Sequence, residues 1–178
     1  MTIEDNGGNR KMKFSTAYEQ SKDAVYGYLT YMAKDIQLAE DLSQETFLKM
    51  FINIRKYKGT ANIKTWALKI ARNTFLTYAK KKQPLLLEEQ IMDFNIGPCY
   101  NEPEENILQK EKGEQIRKIM MSLNENERTI LILRDYAELS YEEIAQIINT
   151  DVGALKSRLY RARQKFRKLY DSSCVSIK

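Results

Sequence analysis

Seven cations crowd into thirteen residues near the C-terminus: Lys156, Arg158, Arg161, Arg163, Lys165, Arg167 and Lys168. No acidic residue stands among them, and none follows until Asp171. Like charges at this density repel one another unless an anion is near, so the stretch asks for a polyanionic ligand. A second group stands in the N-terminal half. Trp66, Lys69, Asn73 and Lys80 share one side of a helix, beside a loop that carries Tyr57, Lys58, Asn62 and Lys64. A ring, an amide and several lysines suit a single nucleic-acid strand, because bases stack on aromatic faces while cations follow the phosphates. A third group, Asp41, Gln44 and Glu45 with Leu48, is an acidic and apolar patch on a basic region, a surface fit for a basic protein partner.

None of these groups is a catalytic set. The chain has no histidine, which removes the usual general base and the commonest metal ligand. It also lacks the Gly-x-x-x-x-Gly-Lys-Ser/Thr loop that cradles nucleotide phosphates. Glu40, Asp41 and Glu45 could hold a metal in a nuclease, but no second carboxylate cluster lies nearby in sequence. The expectation is a chain with no catalytic residue, no metal site and no cofactor.

Helices must position these groups. Ser140 followed three residues later by Glu143 is a capping box, which starts a helix whose apolar face is Ile144, Ala145 and Ile148. Asn149, Thr150 and Asp151 interrupt it with side chains that cap helices rather than extend them. A second helix follows, apolar at Leu155, Leu159, Ala162, Phe166 and Leu169, and it bears the seven cations. Two helices joined by a tight turn, the second strongly basic, describe a helix-turn-helix whose second helix meets duplex DNA.

Upstream, helical patterns run from Phe14 to about Met32, from Asp35 to about Lys56, and from Thr65 to Lys82. The second predicts a buried stripe of Leu38, Ala39, Leu42, Thr46, Met50 and Ile54. The third predicts Ala67, Ile70, Ala71, Thr74 and Tyr78 inside. A lone tryptophan more often packs inward, and Trp66 can do so along one edge while its face forms a pocket wall. Pro103 opens a further helix, and Asn124 with Glu127 repeats the capping-box spacing. No strand pattern competes, so the fold class is all-α: two small helical domains joined by a flexible linker. The expected divisions are a flexible tail at 1–13, a first domain at 14–82, an acidic linker at 83–102, a second domain at 103–170 and a C-terminal tail at 171–178.

Charge follows the same divisions. Residues 1–82 hold 15 basic and 8 acidic side chains, the linker none and 4, and the remainder 14 and 12. Two basic lobes flanking an acidic strip suit a polyanion held at two places. Twenty linker residues reach at most about 70 Å, enough to set the lobes on duplex sites two helical turns apart, each turn being about 34 Å. No run of eighteen apolar residues spans a membrane and the polar N-terminus is not a signal peptide, so a cytoplasmic location is expected. Cys99 and Cys174 read as free thiols.

Taken together, EDLSQETFLKMF, IRKYKGTANIKTWALKIARNTF and LNENERTILILRDYAELSYEEIAQIINTDVGALKSRLYRARQKFRKL resemble conserved regions 2 and 4 of bacterial sigma factors. The short form with only those regions is the extracytoplasmic-function (ECF) type. The resemblance implies a specificity subunit that binds core RNA polymerase, at the β′ clamp coiled coil and the β subunit. It assigns Asp41, Gln44 and Glu45 to the clamp. Tyr57, Lys58, Asn62, Lys64, Trp66, Lys69 and Asn73 are assigned to the melted −10 strand. Arg134, Lys156, Ser157, Tyr160 and Arg161 fall to the duplex −35 element. It further implies an anti-sigma factor partner, commonly membrane-anchored in the family, and a linker that follows the polymerase's RNA exit path. Ala67 and Ala154 depart from the family's frequent leucine and threonine. On the residues alone, a free-standing dimeric helix-turn-helix regulator is the alternative. It leaves the Trp66 region and the Asp41 patch without a role.

Overall fold

A computed structural model describes residues 13–33, 35–82 and 107–175. The expected N-terminal tail up to residue 12, the linker with Cys99, and Pro103 lie outside the described residues. Seven α-helices and no strand occur among those described. They are α1 (Phe14–Ala33), α2 (Ile36–Asn53), α3 (Ile63–Lys82), α4 (Ile107–Ser122), α5 (Glu125–Leu131), α6 (Tyr141–Ile148) and α7 (Val152–Val175). No described helix is long and apolar enough to cross a membrane.

Helices α1, α2 and α3 pack on one another, and α4 to α7 form a second bundle. In α2 the predicted stripe is inside at Ala39, Leu42, Thr46 and Met50, while Leu38 and Ile54 pack against the core's edge. The helix ends at Asn53 and tightens into a 3₁₀ turn over Ile54–Lys56, three residues short of the expected uniform helix. Helix α3 begins at Ile63 rather than Thr65, because Asn62 caps it: the Asn62 side chain accepts from the Lys64 N–H at 3.0 Å. Its predicted inner positions Ala67, Ala71 and Thr74 are buried, and so are Leu68 and Phe75 on another side. Helix α3 packs against α1 and α2 and also against α6, so more than one side of it is covered.

Both predicted capping boxes form. Asn124 and Ser140 accept from the N–H groups of Glu127 and Glu143, whose carboxylates accept in return from the cap N–H groups. Past α5 the chain opens into a π-helical turn, Ile132–Tyr136, and leaves it through Glu138 in the left-handed region at φ 57°. This turn sends three successive side chains to three neighbours: Arg134 to Tyr141, Asp135 to Arg163, and Tyr136 to Tyr31. Asn149, also left-handed at φ 55°, ends α6, and Asp151 starts α7 by accepting from the Ala154 N–H at 2.7 Å. Helix α7 continues past Leu169 to Val175, through most of the stretch expected as a tail.

The two bundles dock directly, which the sequence did not foretell. Their buried side chains form one continuous core. Tyr28 of α1 is fully buried with its hydroxyl 3.4 Å from that of Thr129 in α5. Burial pushes the Tyr28 phenol up to about 12, against the Thr129 hydroxyl, so it stays neutral at the seam. Arg128 stands beside it, only 5% exposed. Its guanidinium donates to the carbonyls of Met120, Met121 and Leu123 at 2.9, 3.2 and 2.9 Å, and at 3.5 Å to those of Tyr31 and Met32. One cation thus serves the C-terminal ends of α4 and α1, where carbonyls lack helical partners and the helix dipole is negative.

Arg128→Met keeps the apolar stem and strands those carbonyls, so it should cost about 3 kcal/mol in denaturant unfolding, as hydrogen bonds to a charged group contribute about 1.5–3 kcal/mol each. A loss under 0.5 kcal/mol would show that water serves them equally well. Acid should weaken the same bundle. Burial disfavours the ionised forms of Glu127 and Glu143, but hydrogen bonds outweigh it: from Lys165 and Asn124 for the first, from Thr65 and Ser140 for the second. Both carboxyls are held below the ordinary 4.5. Their stabilisation is complete above pH 4.5 and is lost as pH falls through the lowered folded values. Stability should therefore decline more steeply below pH 4.5 than in a Glu127→Gln/Glu143→Gln chain, measured by urea midpoints across pH 3–6.

Candidate nucleic-acid interface

The Trp66 region is a cleft between α2 and α3. Its volume is about 480 Å³, and its walls are Trp66, Ile70, Asn73, Thr74 and Thr77 on one side and Lys49, Asn53 and Lys56 on the other. Trp66 is half-buried: one edge packs on the core and Tyr57 meets it at 5.3 Å between ring centroids, tilted by 45°. The Tyr57 hydroxyl donates to the Ala61 carbonyl and closes the loop, with Gly59 at its tip in the left-handed region at φ 70°. The cleft therefore presents an aromatic wall, two amides and two cations, a set able to stack a base, bond its edge and neutralise its phosphate.

Of the seven residues predicted for this strand, Trp66 and Asn73 line the cleft and Tyr57 supports it from behind. Lys58 and Lys69 are exposed but outside the cleft lining. Asn62 spends its side-chain oxygen on capping α3. Lys64 lies close enough to Glu143 to favour that carboxylate's charge, on the side facing α6. Sequence reasoning missed Lys49, Asn53 and Lys56. Their signal was a polar row at spacings of four and three along α2 and the 3₁₀ turn after it, hidden because a polar helix face ordinarily reads as solvated. Lys49 is held by the Thr74 hydroxyl at 3.1 Å and by Glu45 at 2.7 Å, so the cleft and the acidic patch share a residue.

That patch lies on the outer face of α2. Asp41, Gln44 and Glu45 are exposed, and beyond them Leu48 and Ile52 are 59% and 64% exposed. Spacings of three, one, three and four align the five on one surface. Phe51, also exposed, leans edge-on against Phe14 of α1.

On α7, Lys156, Ser157, Tyr160 and Arg161 all face solvent, with Tyr160 66% exposed. Leu155, Leu159 and Ala162 bury the opposite side. Arg134 is half-buried, donates to the Leu139 carbonyl at 2.6 Å and stacks over the Tyr141 ring, which Lys156 also approaches at 5.4 Å. The seven cations are less lonely than the helix alone suggests. Arg163 pairs with Asp135 and Lys165 with Glu127, both partners supplied by the α5 segment. Arg163 is raised above its ordinary value, first by its hydrogen bond to Asp135. Tertiary pairing thus engages two of the seven cations, and Lys156, Arg158, Arg161, Arg167 and Lys168 are exposed. Among the described residues no cluster of metal-ligating side chains occurs.

Comparison with known proteins gives the site its context. Residues 17–84 match the family described as Sigma-70 region 2, and residues 113–166 match Sigma-70, region 4. The chain is 36% identical over 161 residues to the ECF RNA polymerase sigma factor SigM of Bacillus subtilis, covering 90% of this chain and 96% of that one. It is 30% identical over 152 residues to the RNA polymerase sigma factor YlaC of the same organism, covering 85% and 88%. In fold it is similar to the sigma factor RpoE of Bartonella quintana, solved in complex with the anti-sigma factor NepR. The TM-score there is 0.75 at 24% identity, over 89% of this chain and 96% of that one.

Replacing Tyr57 by Phe keeps the ring against Trp66 and removes only the loop-closing hydrogen bond. It should cost about 1 kcal/mol and speed amide exchange between Lys58 and Ile63. Unchanged exchange would mean that Gly59 and the Asn62 cap alone shape the loop.

Proposed function

This chain belongs to the sigma-70 family as an ECF sigma factor and directs transcription initiation, and from that premise we propose which of its surfaces does what. The outer face of α2, with Asp41, Gln44 and Glu45, grips the β′ clamp coiled coil of core RNA polymerase, and Leu48 and Ile52 extend the contact with apolar area. The cleft between α2 and α3 traps a base of the melted −10 strand. Trp66 supplies the stacking wall and Asn73 the edge contact, with Tyr57 holding the loop and Lys58, Lys64 and Lys69 drawing in the backbone. Lys49, Asn53 and Lys56 join that set. The outward row of α7, Lys156, Ser157, Tyr160 and Arg161, reads the −35 duplex in the major groove, with Arg134 at its edge.

The observation that carries this reading is the cleft beside Trp66. A duplex-binding regulator needs a helix-turn-helix but has no use for an aromatic, amide and cation pocket sized for a single base. Trapping bases shifts a duplex toward its open form, because extruding a base costs only a few kcal/mol. No ATP-hydrolysing loop is required. Catalysis resides in the polymerase, and this chain supplies promoter choice from a cytoplasmic location. The sigma factor RpoE, similar in fold and solved with the anti-sigma factor NepR, supports a partner of that kind for this chain as well.

Asp41→Arg should weaken association with core polymerase at least tenfold and abolish run-off transcription, with the helical content unchanged. Arg161→Ala should leave polymerase association intact and weaken promoter duplex binding by about 1–3 kcal/mol, with relaxed choice at one −35 position. Sequence-specific duplex binding by a dimer, with no affinity for polymerase, would sink the reading.

A further inference from the structure

We propose that Gln164 is a fourth base-reading position on α7, set beside Ser157, Tyr160 and Arg161 and selective for adenine in the upstream duplex element. The inference rests on the assignment of α7 to the −35 duplex and adds a specificity-determining residue to it.

The first ground is position. Ser157, Tyr160, Arg161 and Gln164 are spaced by three, one and three residues, and all four are exposed. Helices that lie in a major groove read bases from positions with that spacing. At about 100° per residue the four fall within an arc of roughly 100°, and they cover about 10 Å of helix axis. That length matches about three base pairs at about 3.4 Å each. Leu155, Leu159 and Ala162 are buried on the opposite side, and Phe166 packs against the core there, so the stripe points away from the bundle. One turn further the arc reaches Lys168. A straight helix leaves a curved groove over that distance, so Lys168 falls to the backbone and Gln164 is the last position that can reach a base.

The second ground is how the surrounding side chains are held. Arg163 and Lys165 stand on either side of Gln164 and are tied back to Asp135 and Glu127. Lys156 leans over the Tyr141 ring, and the Arg161 Nε donates to the Ser157 carbonyl at 3.4 Å. Gln164 has no such tether: among the described residues its side-chain amide has no hydrogen-bond partner. Arg158 and Lys165 line one flank of the stripe, and Lys156, Arg163 and Arg167 line the other. Cations on both flanks suit a groove, which has a phosphate backbone on each side.

The third ground is chemical. Between Lys156 and Lys168 seven residues are cationic, and Gln164 is the one amide among them. A phosphate alone would be served better by another charge. An amide carries a donor and an acceptor in one plane, and adenine presents the matching pair, an N7 acceptor and an N6 donor, to the major groove. Guanine presents two acceptors at that edge and leaves the amide oxygen unpaired.

The experiment is run-off transcription by the full chain reconstituted with bacterial core RNA polymerase. Genomic promoter fragments are screened first, and the strongest is then randomised across its upstream duplex element. Wild type, Gln164→Ala, Gln164→Arg and Arg161→Ala are compared, all with residues that favour helix at an exposed position. Wild type should prefer adenine by roughly tenfold to a hundredfold at one position, close to the one that Arg161→Ala relaxes. Gln164→Ala should lose that preference and leave the other positions unchanged. Gln164→Arg should move it to guanine at the same position, since arginine pairs with the two guanine acceptors; a structural role for Gln164 predicts no such switch. Unchanged preferences in Gln164→Ala would overturn the proposal. So would an equal loss on every sequence, which marks a phosphate contact. Wild type that starts no transcript from any fragment, or Arg161→Ala that relaxes no position, would instead overturn the functional reading.

Discussion

A buried guanidinium must find acceptors, and in this protein Arg128 finds them at the frayed ends of two helices rather than on a carboxylate. The last carbonyls of a helix have no partners of their own, so α4 and α1 both offer what the cation needs. Burial lowers the Arg128 pKa while the charge of Glu125 favours ionisation. That one residue of α5 ties itself to the end of α4 and reaches the end of α1 through longer bonds. Thr129, Tyr136 and Glu143 complete the seam from the same stretch of chain.

The π turn after α5 turns this docking into an electrostatic arrangement. By adding a residue to the turn, it aims Asp135 at Arg163 and Tyr136 at Gly27 in one step. Glu127 adds the pair with Lys165. Such half-exposed pairs contribute little to stability. Their consequence lies in placement: the acidic side chains of α5 screen the cations nearest the bundle, and the outward face of α7 keeps those that a duplex would meet. A helix that looked uniformly basic is polarised around its circumference.

On the N-terminal side the same economy joins two surfaces through one lysine. Lys49 lines the cleft, bonds Thr74 across it, and pairs with Glu45 on the face assigned to polymerase. Charge introduced at Glu45 is therefore felt at the wall where a base would lie. The exposed Leu48 and Ile52 are unusual beside these charges and belong with an interface rather than a solvated face.

The sequence by itself determined the helices, their caps and most of their inner faces. Capping boxes at Asn124 and Ser140, the stripe from Ala39 to Met50 and the row Leu155, Leu159 and Ala162 depend on neighbours within a turn or two, so spacing alone reports them. Trp66 and Asn73 were legible for the same reason. Lys49, Asn53 and Lys56 were not, because a polar row becomes a cleft wall only when another helix stands opposite. Leu68 and Phe75 broke the predicted single face of α3 because that helix is covered on two sides, which one helix's periodicity cannot reveal. Only the tertiary structure decided that Arg163 and Lys165 are paired, that Asn62 is a cap and that the bundles close on Gly27. The ion pairs and the Gly27 contact join residues far apart in the chain, and no local pattern records which distant group will fill a gap left by a missing side chain; the Asn62 cap is local, but an amide in a lysine-bearing loop reads equally as a ligand.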